Sequence, residues 1–285
     1  MHPLLPEIKD ILMIPRLVLI KGAGDLATGI AHRLWRSGFD VVMLELPEPL
    51  VVRRTVSFAT AIYENKIEVE SVKAVLCHST GEIGQYLDEK IIPVIIDPLA
   101  ESVKALKPPV VIDAIMAKKN TGTFLTDAEL VIGIGPGFTA GKDVNFVVET
   151  MRGHMLGRVI STGSAVDDTG VPAEIGGYGT ERLLRSPIDG TIKPLKEIGN
   201  IVKAGETVAL VDQAAVKSSI DGIIRGMLYS GLKVKKGLKI GDIDPRGEKV
   251  DCHSISDKAR AVGGGVLEAI LFHYFFIKQS YNIRS

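Results

Sequence analysis

The stretch Arg16-Leu-Val-Leu-Ile-Lys21-Gly22-Ala-Gly24-Asp25-Leu-Ala27-Thr-Gly29 decides the fold of the first half of the chain. It opens as a run of aliphatic residues that ends directly at a glycine loop. Beyond the loop, Leu26, Ile30 and Leu34 are apolar at helical spacing until about Ser37, and Gly38 ends the pattern. A strand that hands over to a helix through Gly22-x-Gly24-x-x-Ala27 fits a dinucleotide-binding fingerprint. The first glycine permits a tight turn, the second lets a pyrophosphate approach the backbone, and the small third residue lets helix and strand pack closely. Free amides at the helix start supply the anion site.

Moving outward, residues 40–45 read as a second buried strand, stopped by Pro47 and Pro49. Glu45 stands at its end, 21 residues beyond Gly24, where a carboxylate accepts hydrogen bonds from ribose hydroxyls. Further apolar runs at 72–77, 92–96, 110–115 and 130–134 alternate with helix-like stretches at 81–89 and 100–107. That alternation predicts a Rossmann-like α/β unit, a parallel sheet with helices on both faces. Ligands of such sheets sit beyond the carboxyl ends of the strands. Glu45, Asp97, Asp113 and the 133–138 loop are therefore expected along one edge.

Several neighbours bear on an anion there. Asp25 would repel a phosphate unless it faces away, caps the helix or works with a cation. Arg53 and Arg54 follow the second strand, and Lys118, Lys119 and Asn120 follow the 110–115 run. Both groups are candidate phosphate clamps, arginine by forked hydrogen bonds and lysine as a point charge; solvated surface charge is the alternative. The glycines of 133–138 either expose amides to an anion or turn the chain out of the sheet, and both readings stay open.

The second half contains a duplication. Residues 186–212, SPIDGTIKPLKEIGNIVKAGETVALVD, align without gaps on 218–244, SSIDGIIRGMLYSGLKVKKGLKIGDID. Glycines recur at turn positions and aliphatics at alternating strand positions, so each copy is a set of short strands that cannot bury its apolar face alone. The pattern resembles the half-motifs of biotinyl and lipoyl carrier domains and predicts an all-β barrel-sandwich hybrid module. The joining segment 212–216 has no lysine at its tip, which speaks against covalent biotin or lipoate and for a rigid docking or lid module. The expected organisation is a nucleotide-binding domain over 14–140, a connecting β segment over 141–182, the barrel-sandwich module over 183–245, and a helical segment over 246–285 that packs back on the first domain.

Composition sets the outer limits. Of 285 residues, 46% are hydrophobic and 24% charged, as a folded domain requires. Lys plus Arg and Asp plus Glu both total 34, so net charge gives no general attraction to nucleic acid or anionic membrane. Glu7, Lys9 and Asp10 interrupt the first apolar stretch, against a signal peptide. No uninterrupted apolar run reaches membrane-spanning length, and a cytoplasmic location follows as an expectation. Cys77 and Cys252 form no disulfide framework, and neither they nor His154 stand at metal-ligand spacing. Cys252 beside His253 is a weak candidate for an activated thiolate, with buried structural cysteine the commoner outcome. The Gly263-Gly264-Gly265 string reads chiefly as helix packing.

Read together, GAGDLATG, ELPEP, RRTVSFATAIYE, VIDAIMAKKNTGT, IGPGFTAGKDV, ETMRGHMLGRVI, GLKIGDIDPRG and ISDKARAVGGGVLEA resemble the YqeB family, accessory proteins of selenium-dependent molybdenum hydroxylase systems. The resemblance runs from about Leu17 to Leu271, and the first part is also similar to the Rossmann portion of XdhC accessory proteins. It implies a role in maturing a molybdenum–pterin cofactor for a client molybdenum hydroxylase, and it brings no catalytic residues with it.

The leading expectation is an accessory factor that binds a nucleotide or a molybdopterin dinucleotide at Gly22, Gly24, Asp25, Ala27 and Glu45, with Arg53, Arg54, Lys118, Lys119 and Asn120 as further phosphate contacts. The alternatives are an NAD(P)-dependent oxidoreductase with a proton donor near Asp113 or Cys252, and a non-catalytic scaffold that docks a client enzyme. Oligomeric state is left open, a homo-oligomer included.

Overall fold

The structure is a computed structural model that describes residues 14–168, 170 and 174–278; the stretch carrying Glu7, Lys9 and Asp10 lies outside them. Aliphatic runs form β1 (Leu17–Lys21), β2 (Asp40–Glu45), β3 (Lys66–Val69), β4 (Val72–Cys77), β5 (Ile92–Ile96), β6 (Val110–Asp113) and β7 (Leu130–Ile134). Shorter strands follow at β8 (Thr139–Ala140), β9 (Phe146–Val148), β10 (Val159–Ile160) and β11 (Gly163–Ser164). The helices of this half are α1 (Asp25–Arg36), α2 (Ala61–Glu64), α3 (Ile83–Asp88) and α4 (Glu101–Leu106).

Nine of these strands form one sheet in the order β10-β9-β7-β6-β1-β2-β5-β4-β3. The register places Lys21 beside both Asp113 and Leu44, and Glu45 beside Ile96. The carboxyl ends of β1, β2, β5 and β6 therefore meet along one edge. Val18, Ile20 and Ile112 pack on one face with Ile30 and Leu34 of α1; Leu19, Val42 and Val111 pack on the other with Ile83 of α3 and Val103 of α4.

The fold expectation needs correction in both halves. The sheet is not a purely parallel Rossmann sheet but a mixed one, antiparallel at both edges, where β3 meets β4 and β9 meets β10. Glu70 and Ser71, with φ of 46° and 67°, make a tight turn that joins β3 to β4. A connection so short can link only antiparallel neighbours. The 141–182 segment, expected as a connecting β segment, supplies β9 and β10 to this sheet.

The second half holds β12 (Leu183–Arg185), β13 (Gly190–Pro194), β14 (Ile201–Val202), β15 (Thr207–Val211), β16 (Ala214–Lys217), β17 (Gly222–Met227), β18 (Lys233–Val234) and β19 (Lys239–Asp244). These strands build two four-stranded antiparallel sheets, β12-β19-β17-β14 and β16-β15-β13-β18, around Ile192, Val208, Ile224, Ile240 and Ile243. They are not an identified biotinyl- or lipoyl-like barrel module.

The duplication is visible as reciprocal bonding. Asp189 accepts from Lys235 Nζ and Lys236 N, both at 2.8 Å, while Asp221 accepts from Lys203 Nζ at 2.9 Å and Ala204 N at 2.8 Å. Ser186 and Ser218 each donate to the carbonyl two residues ahead at 2.6 Å. Strand β14 of the first copy pairs with β17 of the second, and β18 of the second with β13 of the first.

This β-module docks on the chain that leaves β2. Met227 N donates to Val52 O at 2.8 Å, and Arg54 Nε donates to Met227 O at 2.7 Å. Gly226 allows the approach, because a Cβ there would lie 2.5 Å from Val52 Cγ1.

Helix α5 (Asp257–Phe272) begins at Ser256, whose side chain accepts from Ala259 N, and ends in a π-helical turn over His273–Ile277. Together, Asp257–Ile277 are long and apolar enough to cross a membrane by length and composition, which reading the sequence for unbroken apolar runs did not register. Val262, Val266, Ala269 and Ile270 are buried in the core under the main sheet, as in a core helix of a globular domain. That placement is compatible with a cytoplasmic location.

Candidate functional site

The glycine loop follows from two different demands. Gly22 has φ +94°, and a Cβ there would lie 3.0 Å from Ala114 O, so the turn itself needs glycine. Gly24 has an ordinary φ of −65°, and its nearest neighbour to an added Cβ is Val51 Cγ1 at 3.9 Å. Among the described residues no close neighbour requires glycine at 24. The bare backbone there faces a cavity.

Two carboxylates already hold amides of this loop. Glu45 accepts from Ala23 N at 2.8 Å and from Leu46 N at 2.7 Å. Burial raises its pKa, and those two hydrogen bonds only partly oppose the rise. Asp25 accepts from Leu26 N at 2.9 Å and lies 3.8 Å from Arg53 Nη1. A carboxylate in the first turn of a helix is favoured by the helix dipole, so Asp25 both complements the helix start and stands beside a cation. Its side chain stays 38% exposed, and it does not seal the loop.

The cavity, about 1010 Å³, lies between the carboxyl edge of the main sheet and the β-module. Its wall includes seven basic residues, Lys21, Arg53, Arg152, Arg182, Arg225, Lys239 and Lys258, against four acidic ones, Asp25, Glu45, Asp97 and Asp242. This imbalance gives the cavity a positive field although the whole chain is neutral. Leu46, Leu50, Leu99 and Ile115 line it as well and are 43–79% exposed, which adds apolar surface to the charged wall.

Arg53 is one of three buried cations here, at 8% exposure beside Lys21 and Arg182 at 6% each. Its Nη2 donates to Ser254 O at 3.3 Å, while its buried Nε has no hydrogen-bond partner among the described residues. Burial lowers the Arg53 pKa, and the neighbouring Arg225 guanidinium lowers it further. A buried donor left unsatisfied costs about 1–3 kcal/mol, and more when charged. Lys258 is likewise pulled down by burial and by Arg152. Cations arranged in this way gain from an incoming anion.

Of the residues singled out in the sequence, Gly22, Gly24, Asp25, Ala27, Glu45 and Arg53 line the cavity. Arg54 does not: it bonds Met227 O, pairs with Glu197 at 3.2 Å and stacks over the Tyr229 ring at 4.5 Å, as a strut between the two units. Lys118 pairs with Asp168 at 2.5 Å, and neither it nor Lys119 reaches the cavity wall. Asn120 accepts from Gly122 N and Thr123 N and so shapes its own turn. The 133–138 glycines serve close packing, since a Cβ on Gly137 would lie 2.6 Å from Lys119 N and one on Gly133 would lie 2.6 Å from the Phe138 ring.

Asp113 is buried behind the cavity, where it accepts from Thr123 Oγ1 at 2.6 Å; that hydroxyl accepts in turn from Lys21 Nζ at 2.5 Å. Cys252 is buried away from the cavity wall, and burial raises its thiol pKa, the opposite of an activated thiolate. Among the described residues, no three His, Cys, Asp or Glu side chains converge as a metal site.

Sequence reasoning missed Arg152, Arg182, Arg225, Lys239, Asp242 and Lys258. One signal was present in the repeat. Asp242, 2% exposed, stands where the first copy has Leu210, and Lys239 stands where it has Thr207. A buried charge that breaks an otherwise apolar repeat position marks a local task.

No family model matches the chain. It is 48% identical over 256 residues to the uncharacterized protein YqeB of Escherichia coli (strain K12), covering 90% of this chain and 47% of that protein. The chain thus spans about half the length of the curated relative it matches. Similarity to XdhC proteins is not shown. Solved structures that align with it include an aspartoacylase family protein from Mesorhizobium loti, at 13% identity over 80% of this chain and 84% of the other with a TM-score of 0.25. The ectoine utilization protein EutE (DoeB) from Ruegeria pomeroyi aligns at 11% identity, 80% and 85% coverage and a TM-score of 0.25. Likenesses this weak carry no argument. Nothing in these comparisons bears on molybdenum cofactor maturation.

Proposed function

Identity of 48% across 90% of the chain supports its assignment to the YqeB family, and on that premise we propose that it is a binding protein for a phosphate-bearing, nucleotide-type small molecule. The ligand lies in the cavity between the main sheet and the β-module. Its diphosphate rests on the bare backbone at Gly24 and the first turn of α1, within reach of Arg53. Its ring system packs on the apolar wall at Leu46, Leu50, Leu99 and Ile115. Glu45, protonated more readily than an ordinary carboxyl, keeps unused lone pairs for ribose hydroxyls.

The observation that carries this reading is Gly24. Among the described residues its side-chain position is open and its backbone lines the cavity, so a ligand can approach that backbone closely. The test is titration calorimetry of the full chain with NAD, CDP, CTP and a pterin dinucleotide. At least one should bind at about 10 μM or tighter, worth about −7 kcal/mol. Heat silence with all four overturns the reading.

A further inference from the structure

We propose that Lys21 is a ligand-binding residue that donates a hydrogen bond from the cavity wall to an anionic oxygen of the ligand, with Thr123 and Asp113 as the residues that position it. This rests on the reading that the cavity takes a phosphate-bearing ligand, and it adds a contact on the face of the sheet away from α1.

The register of the sheet sets up the arrangement. Leu19 of β1 lies beside Val111 of β6, and Lys21 lies beside Asp113. Side chains two apart on a strand share a face. Leu19 and Val111 pack with Ile83 of α3 and Val103 of α4, so Lys21 and Asp113 continue that buried column to the carboxyl edge. The column changes from aliphatic to charged where it meets the cavity, which Lys21 lines.

The two charges do not close on each other. Lys21 Nζ stands 4.0 Å from Asp113 Oδ2, whereas a direct charge-assisted hydrogen bond measures about 2.7–2.9 Å. The Thr123 hydroxyl bridges them, accepting from Lys21 Nζ at 2.5 Å and donating to Asp113 Oδ2 at 2.6 Å. Asp113 also accepts from Ile115 N at 3.1 Å. Gly122 O takes a second, longer bond from Nζ at 3.3 Å. The third N–H of the ammonium has no hydrogen-bond partner among the described residues.

The turn that supplies the hydroxyl is itself fixed. Asn120 Oδ1 accepts from Gly122 N at 2.9 Å and Thr123 N at 2.8 Å, and its Nδ2 donates to Thr123 O at 2.7 Å. Thr121 and Gly122 of the same turn line the cavity with Lys21.

Stability alone is a poor reason for this set. Lys21, Asp113 and Thr123 are 6%, 1% and 0% exposed. Desolvation of two buried charges offsets what a pair at this separation returns. A lysine held at a cavity wall with one donor unspent is placed for an incoming acceptor, and towards phosphate it acts as a point charge.

The experiment is titration calorimetry of the full chain with NAD, CDP, CTP, a pterin dinucleotide and inorganic pyrophosphate. The proteins are the wild type, Lys21→Met, Thr123→Val and the double variant Lys21→Met/Asp113→Asn, each with a urea midpoint. Lys21→Met should weaken whichever probe binds the wild type by about tenfold or more, the loss of one hydrogen bond to a charged group. It should also lower the urea midpoint, because it strands the Asp113 charge. The double variant should recover the midpoint but not the affinity. Thr123→Val keeps both charges and should show a smaller loss of affinity.

Recovery of affinity together with the midpoint marks a purely structural pair and overturns the proposal while leaving the nucleotide reading intact. Should both lysine variants fail to fold, undiminished affinity in folded Thr123→Val overturns it instead. Binding of pyrophosphate alone, lost in Lys21→Met, removes the nucleotide reading and supports Lys21 as the anion contact. Silence of the wild type with all five probes overturns both.

Discussion

Gly29 and Gly263 meet where α1 crosses α5, so close that a Cβ on Gly263 would lie 2.8 Å from the Gly29 carbonyl oxygen. On the other side of the crossing, a Cβ on Gly29 would lie 2.6 Å from the Ala259 Cβ. The crossing fixes how the N-terminus of α5, which brings Lys258, stands beside the N-terminus of α1, which brings Gly24. Gly29→Val should destabilise the chain by about 3 kcal/mol through overpacking. A Cβ on Gly264 would meet nothing within 4 Å outside its own helix among the described residues, and Gly264→Ala should stabilise the helix by up to about 1 kcal/mol. Urea unfolding of both variants checks the pair; equal effects would remove the account of the crossing.

Gly24→Val separates binding from folding. The open space at its Cβ implies a stability change of about 1 kcal/mol or less. Nucleotide affinity should fall more than tenfold in the same protein. A variant that folds and binds like the wild type would show that the glycine has no ligand-facing role.

Half of the cavity was legible in the sequence, and the reason is its locality. A strand, a turn and a helix start are contiguous, so the roles of Gly22, Gly24 and Ala27 follow from spacing alone. Glu45 follows from the next strand in register. Arg182, Arg225 and Lys239 lie more than 120 residues further on, and the docking of the β-module through contacts such as Met227 on Val52 brings them to the same cavity. No spacing rule encodes that contact. Lys118 and Lys119 were misplaced for a related reason: Met116 and Lys118 take φ of 62° and 60°, and the chain packs against Gly137 instead of the cavity. The mixed sheet escaped notice because the strands of 66–69 and 72–77 are joined by only two residues, neither of them glycine.

The two copies of the repeat should titrate alike. The Lys235 side chain and Lys236 amide hold the Asp189 carboxyl below its usual range; the Ala204 amide and Lys203 side chain do the same for Asp221. A depressed folded pKa stabilises fully above the unfolded value of about 3.9, and the gain is lost as pH falls through the folded value. Asp189→Asn and Asp221→Asn should therefore each lower the melting temperature by a similar amount at pH 7. The deficit should shrink towards pH 3. A deficit that grows on acidification, or that appears in only one variant, contradicts the reciprocal arrangement.

Both thiols should be slow to react. Cys77 and Cys252 are 1% and 3% exposed, and burial raises each pKa. An aromatic disulfide reagent at pH 8 should modify the native chain at least tenfold more slowly than the chain in urea. Fast labelling of Cys252 in the folded protein would restore it as a candidate nucleophile.

The crossing of β14 and β18 into each other's sheets has an ancestral corollary. A peptide carrying a single copy of the repeat would lack one strand of its own sheet and could complete it only by borrowing from a second molecule. Such a peptide would be an obligate homodimer, and fusing two genes end to end would make that partnership intramolecular. In the two copies as they stand, only the second carries, at 242 and 239, an aspartate and a lysine that line the cavity.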